Sequence, residues 1–167
     1  KYSLAASGGI FLGKKYHYDL VRPGINLYGG SKSYNKNLKH VVSLKSPIIQ
    51  INELKKGQTA GYSRTFKAKK NMTTATIPMG YADGIGIRLS NKGFVHFKSQ
   101  KLPMLGRISM DLIIIDITKV KNQIKLGDFV HLYNDLFTID DFAKLTGTIP
   151  YRIITCISKR YIKNYKN

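Results

Sequence analysis

From His40 onward, apolar and polar residues alternate in short runs cut by Gly, Asn and Pro, which is the spacing of strands rather than of long helices. "VVSLKSPIIQINEL" is one such run, and its Pro47 suits an edge strand or a bulge because proline cannot donate to a ladder. "KKGQ" reads as a turn, and "GYSRTFKA" as a strand alternating Tyr62, Arg64 and Phe66. Further strands are predicted in "TTATIPMGY", "FVHFKSQKLPMLG", "DLIIIDIT" and "LGDFVHLYN". Strands at this spacing predict a sandwich or a barrel. One helix is signalled by "FTIDDFAKLTGTIPY": Thr138 can cap it, Asp140 and Asp141 suit its first turn, and Gly147 can close it. "YRIITCIS" follows as a last strand or a short helix.

Residues 1–33 differ. "KYSLAASGGIFLG" reads as a strand end entering a small-residue loop, and "YHYDLVRPGINLYGG" as a second short element. This is too little chain to bury a core of its own, so it is expected to lean on something outside itself. The polar "KSYNKNL" at 32–38 is a plausible hinge.

Composition adds the material for a core: 43% of residues are hydrophobic and 18 are Tyr or Phe, which excludes a disordered chain. No apolar run approaches 18 residues, so no membrane-spanning helix is expected. The single cysteine, Cys156, excludes an internal disulfide and suits a reducing cytoplasm. The net charge of +19 by itself suggests a polyanion partner. The basic residues are 22 Lys and only 6 Arg, in no run longer than two, which speaks against specific nucleic-acid readout.

His17, His40, His96 and His131 are isolated and Cys156 has no neighbouring ligand, so no metal site is expected. There is no nucleophile elbow and no P-loop. What stands out is tyrosine beside glycine, in Gly61-Tyr62, Gly80-Tyr81 and Tyr28-Gly29, with Pro150-Tyr151 and with Arg22, Arg64 and Arg107 in the same segments. Tyrosines at sheet edges ordinarily bury the ring and wet the hydroxyl. A tyrosine acts as acid or base only where cations or donors favour its ionised form. Arg64, two residues from Tyr62, is expected on the same strand face.

Taken in order, "VRPGINLYG", "GYSRTF", "MGYADGIGIRLSN", "LPMLGRISMDLIIIDIT", "GDFVHLY" and "DDFAKLTGTIPYRIITCISKR" resemble successive motifs of the C-terminal part of alanine racemase, a pyridoxal 5'-phosphate (PLP) enzyme. The resemblance covers essentially the whole chain. It implies a mainly β architecture, with residues 1–33 the tail of a (β/α)8 barrel and 38–167 the C-terminal β-domain. It implies an isomerase interconverting L- and D-alanine for the cell wall, in the cytoplasm, as a head-to-tail homodimer.

The resemblance also implies roles for particular residues. Ser7 matches the serine that binds the PLP phosphate, although Ala6 stands where the family has asparagine. Gly24 and Ile25 would offer backbone N–H groups to that phosphate, and Tyr151 its hydroxyl; Arg152 replaces the family's usual glutamate. Arg22 matches the arginine facing the pyridine nitrogen of PLP, which stays unprotonated because arginine keeps its own proton. Tyr62 matches the base for L-alanine, Tyr81 a wall of the substrate channel, and Met110 a backbone donor to the substrate carboxylate. Tyr62, Tyr81 and Met110 would serve the partner's barrel. Ser63 replaces a glycine of the family's Ser-Tyr-Gly step and is strained if its φ is positive. The lysine that holds PLP in the family has no counterpart among the 22 lysines here. Two other readings remain open on the sequence: an inactive β-domain serving as a dimerisation or polyanion-binding module, and a racemase for another amino acid.

Overall fold

The computed structural model describes residues 1–165. The last two residues of the 38–167 segment lie outside the described residues. The described residues form nine strands and two α-helices: β1 (Leu44–Pro47), β2 (Gln50–Leu54), β3 (Thr59–Ala60), β4 (Phe66–Lys67), β5 (Met72–Ile77), β6 (Phe94–Phe97), β7 (Gln100–Leu105), β8 (Ile113–Asp116), β9 (Phe129–Tyr133), α1 (Ile139–Thr146) and α2 (Pro150–Thr155). Seven strands form one antiparallel sheet in the order β1-β9-β6-β7-β8-β5-β2.

The two edges of that sheet are consecutive pieces of chain. Between β1 and β2, the Ile48 N–H donates to Asp128 O at 2.9 Å, on the β9 side, while the Ile49 N–H donates to Thr76 O at 2.9 Å, on β5. The segment therefore turns a corner at Pro47–Ile49, and the sheet curls into a barrel-like form rather than a sandwich of two sheets. Pro47 sits at the end of edge strand β1, where its missing N–H costs no ladder bond.

Alternation fills the interior. Val130 and Leu132 of β9, Ile113 and Ile115 of β8, and Leu102 and Met104 of β7 are all buried in one core, which Ile139 and Phe142 of α1 complete. Thr138 caps α1: its Oγ1 accepts the Asp141 N–H, Asp141 Oδ2 accepts the Thr138 N–H at 3.0 Å, and Gly147 closes the helix at φ 67°. "YRIITCIS" is a short helix, α2, and not a strand.

A second, smaller core forms on the outer face of the sheet. Met72 and Leu105 meet Ala68 there, with Phe66, Leu54 and Ile114 packed around them. It anchors the β3–β4 hairpin, whose connecting loop is Gly61–Thr65. The expected continuous strand over "GYSRTFKA" is thus interrupted, because Ser63 and Arg64 both adopt left-handed conformations, φ 60° and 55°.

The first 33 residues contain short 3-10 turns at Gly9–Leu12, Lys14–Tyr16 and Ile25–Tyr28, and a single parallel bridge between Ala6 and Arg22. "INLY" is a 3-10 turn and not an alternating strand. Residues 29–31 are buried against α1, where Asp140 Oδ1 accepts the Ser31 N–H at 2.8 Å. Tyr2, Leu4, Leu12 and Leu27 remain exposed. Among the described residues no helix is long and apolar enough to cross a membrane.

Candidate functional site

Tyr62 occupies the second position of a four-residue turn closed by the Arg64 N–H donating to Gly61 O at 3.1 Å. The third position, Ser63, carries the positive φ that such a turn demands and glycine ordinarily supplies. The turn holds the Tyr62 backbone while its side chain projects, 68% exposed. Ser63→Gly is expected to relieve about 1 kcal/mol of left-handed strain and raise Tm by about 2–4 °C. A Tm that stays put or falls in thermal unfolding would show the serine to be unstrained.

Two glycines press this turn onto the chain leaving β7. A Cβ on Gly61, at φ 79°, would stand 2.6 Å from the Gly106 Cα, and one on Gly106, at φ 75°, would stand 2.5 Å from Ala60 O. That approach permits an antiparallel bridge in which the Tyr62 N–H donates to Arg107 O at 3.4 Å. Directly opposed residues of an antiparallel pair send their side chains to the same face. The arginine flanking Tyr62 is therefore Arg107, across the bridge. Arg64 is not on a shared strand face with it, because the turn intervenes.

The same segment holds Tyr81 and Met110. Gly80 lies against the backbone of Ser109 and Met110 with no room for a Cβ. The next two amides complete the lock: Tyr81 N–H donates to Ser109 O and Ala82 N–H to Met110 O, both at 3.0 Å. Asp83, buried, turns its carboxylate back to accept the Gly80 N–H at 2.9 Å. Arg160 joins this turn to the Met110 loop, with Nε 3.4 Å from Asp83 Oδ1 and Nη1 donating to Asp111 Oδ1 at 2.8 Å. The Tyr161 hydroxyl donates to Asp83 O at 3.0 Å, and burial pushes its pKa up, so it stays a donor. Among the described residues no acceptor takes the Met110 N–H, and the side chain is exposed.

Ser7, Gly24 and Ile25 form a separate group. Ser7 is buried, and its Oγ accepts the Gly24 N–H at 2.9 Å, leaving the hydroxyl proton for another acceptor. Asn26 Nδ2 fixes the Ser7 carbonyl at 2.7 Å. Among the described residues no acceptor takes the Ile25 N–H. Arg22 is held by the carbonyls of Ser3 and Leu4, at 3.2 and 3.4 Å, and by the Ser3 hydroxyl. Ile25 and Gly30 touch Ile139 of α1, on which α2 packs with Tyr151 in its first turn.

Seven of the predicted residues thus fall into two groups, while Tyr151 stands apart on α2, exposed and with no hydrogen bond from its hydroxyl to either group among the described residues. Tyr62, Tyr81 and Met110 share the Gly106–Met110 segment, and Ser7, Arg22, Gly24 and Ile25 share residues 3–25. Among the described residues no hydrogen bond or bridge joins the groups. A cleft of about 480 Å³ beside the Tyr81 turn is lined by Arg88, Arg152 and Tyr161 and takes in neither Tyr62 nor Met110. Asp83 supports the Tyr81 turn, as the Asp83-Gly84 step in the sequence suggests, whereas Gly106, Asn91 and Arg160 are supports that no sequence motif above singled out. The signal for Gly106 and Asn91 was present in "LPMLGR" and "LSN", where a glycine and an asparagine, the residues most tolerant of positive φ, flank apolar strands.

Residues 41–165 match the family described as alanine racemase, C-terminal domain. The chain is 46% identical over 170 residues to an alanine racemase of Rickettsia bellii, covering 99% of this chain and 41% of that protein. It is 42% identical to an alanine racemase of Brucella canis, over 98% of this chain and 45% of that one. Among solved structures it resembles alanine racemase of Bartonella henselae with covalently bound pyridoxal phosphate (TM-score 0.90, 43% identity, 95% of this chain and 45% of that one). It also resembles the Bacillus anthracis enzyme with bound L-Ala-P, at TM-score 0.85 and 30% identity over 98% of this chain and 45% of that one. The chain spans less than half the length of these relatives.

Proposed function

The chain belongs to the alanine racemase family and corresponds to its C-terminal part, and from that premise we propose that it supplies the tyrosine base and part of the cofactor site of a PLP-dependent alanine racemase. Residues 1–33 act as the tail of the PLP-binding barrel, and 38–167 as the β-domain. The exposed Tyr2, Leu4, Leu12 and Leu27 support this, since they are apolar side chains in this segment that the rest of a barrel could cover. The whole protein converts L- to D-alanine in the cytoplasm for peptidoglycan and works as a head-to-tail homodimer.

The observation carrying this reading is the shared support of three site residues by one segment. Gly106–Met110 fixes the Tyr62 turn at one end and the Tyr81 turn at the other, with the Met110 N–H left without an acceptor among the described residues.

Ser7 and its neighbours fit a phosphate through a buried hydroxyl with its proton unspent and a free Ile25 N–H, whereas the Gly24 N–H, expected to serve the phosphate as well, is spent on Ser7 Oγ and orients that hydroxyl instead. PLP, when bound, withdraws electrons from the amino acid and so loosens its α-proton. Arg22, pinned by two carbonyls, would face the pyridine nitrogen and hold it unprotonated. Tyr62, ionised at its phenol oxygen, takes the α-proton of L-alanine there, and in the reverse direction the phenol gives that proton back to the α-carbon. The Met110 N–H binds the substrate carboxylate, and Tyr81 narrows the channel to a small side chain. Separation of the two groups within one chain supports assigning them to different active sites of a dimer.

Ser7→Ala is the test of the phosphate contact. Loss of a hydrogen bond to a charged acceptor is expected to weaken PLP binding by about 10-fold or more. Titration of the chain, joined to a family barrel, with PLP at fixed substrate would measure it. Unchanged affinity would remove Ser7 from the site.

A further inference from the structure

We propose that Ser90 and Asn91 form a clip that sets the position of the Tyr62 hydroxyl, with Asn91 a positioning residue for proton transfer; the functional half of this rests on reading Tyr62 as the base. The clip occupies the place where β7 stops pairing. Beyond Leu105 the chain leaves the sheet, and residues 106–108 would present unpaired amides. Two adjacent side chains take them instead. Asn91 Oδ1 accepts the Gly106 N–H at 2.7 Å, and Ser90 Oγ accepts the Ile108 N–H at 3.1 Å.

Adjacency explains why this reaches Tyr62. Gly106 turns out of the strand at φ 75°, and Asn91 and Ser90 hold the amides on either side of Arg107. The Arg107 carbonyl, fixed between those two anchors, accepts the Tyr62 N–H. Asn91 holds the loop from a second direction as well, its Nδ2 donating to Thr65 O at 3.4 Å, three residues after Tyr62. One side chain thus ties both halves of the Gly61–Gly106 contact together.

Asn91 is itself set for the task. Its φ is 58°, a conformation asparagine tolerates better than most residues, and Ser90 beside it is fixed by donating to Ile87 O at 2.6 Å. Tyr62 is 68% exposed and its side chain makes no hydrogen bond to a described residue, so its direction is governed by the backbone that carries it. A displacement of roughly 1 Å in a reacting group can cost about 100-fold in rate.

Asn91→Gly removes both side-chain bonds while suiting the positive φ, so folding is preserved. On the 167-residue chain, amide hydrogen exchange at Gly106 and Tyr62 is expected to quicken by about 10-fold or more, with Val130 and Leu132 in β9 unchanged. In the whole racemase, kcat is expected to fall by about 10- to 100-fold with KM within about twofold. Asn91→Asp keeps the acceptor for Gly106 but loses the donor to Thr65 O, so it should recover the protection at Gly106 and only part of kcat. Equal exchange at Tyr62 in Asn91→Gly and wild type would overturn the clip, as would an Asn91→Asp no better than Asn91→Gly, or a loss confined to KM. If Tyr62→Phe proves fully active, the base assignment fails by itself, and the exchange data still decide whether Asn91 holds the turn.

Discussion

Tyr62→Phe is expected to stop solvent deuterium from entering the α-position of L-alanine while leaving that exchange intact for D-alanine. The phenol oxygen is the group proposed to meet the L-face proton, and phenylalanine keeps the ring and its packing while deleting that oxygen. The lysine contributed by the rest of the family's barrel still serves the other face. Loss of a positioned general base costs about 10²–10⁴-fold, so kcat for racemisation should fall by that range in both directions. The fold should not respond. Tyr62 is largely exposed at the second position of its turn, and its contacts with Arg107 and Gly61 run through backbone, which the substitution does not touch. Proton NMR of each enantiomer in D2O separates the two exchanges. Equal slowing for L- and D-alanine would mean that Tyr62 positions substrate without moving the proton.

Gly106→Ala is expected to carry the largest structural penalty. The new Cβ would sit 2.5 Å from Ala60 O and 2.6 Å from the Gly61 Cα, both backbone atoms that no rotamer change can move. The residue would also have to hold φ 75°, a cost of roughly 1–2 kcal/mol, with overpacking adding roughly 1–3 kcal/mol. The sum, about 3 kcal/mol, corresponds to a fall in Tm of about 6–12 °C for a chain of this size. Activity should fall further than stability explains, because the strain is relieved by pushing the Tyr62 turn away from Arg107. Measuring Tm and kcat on one preparation checks both halves. A variant with wild-type Tm would show that the glycine contact is not the anchor of the turn.

The β-rich character, the edge position of Pro47, and α1 from Thr138 to Gly147 were legible because each depends on local chemistry: alternation, a missing donor, a cap. The curling of the sheet was not legible. It depends on Ile48 and Ile49 donating in opposite directions to strands some 80 and 30 residues away, and nothing in "SPIIQ" announces that split. Tyr62 was singled out for the residues beside it, yet its flanking arginine was misplaced. A period-2 reading of "YSRTF" assumes β geometry throughout, and two consecutive positive φ values at Ser63 and Arg64 break the period. Ser63 gave a warning here, since a serine standing where the family has glycine hints at a turn. The supports of the site were harder to read. Asn91 and Gly106 act through pairing across 15 residues of sequence, and Asp83 with Arg160 across nearly eighty. Their partners become visible only when the strands between them are placed.

In the proposed dimer this chain completes the active site of a second barrel. Mixing two inactive whole racemases tests it, one carrying Tyr62→Phe and the other lacking the barrel lysine. A mixed dimer has one barrel with its lysine intact and a wild-type Tyr62 reaching it from the partner. Random pairing is therefore predicted to restore roughly a quarter of wild-type D-alanine formation. No recovery, from a mixture shown to exchange subunits, would place Tyr62 in its own subunit's site and contradict the account.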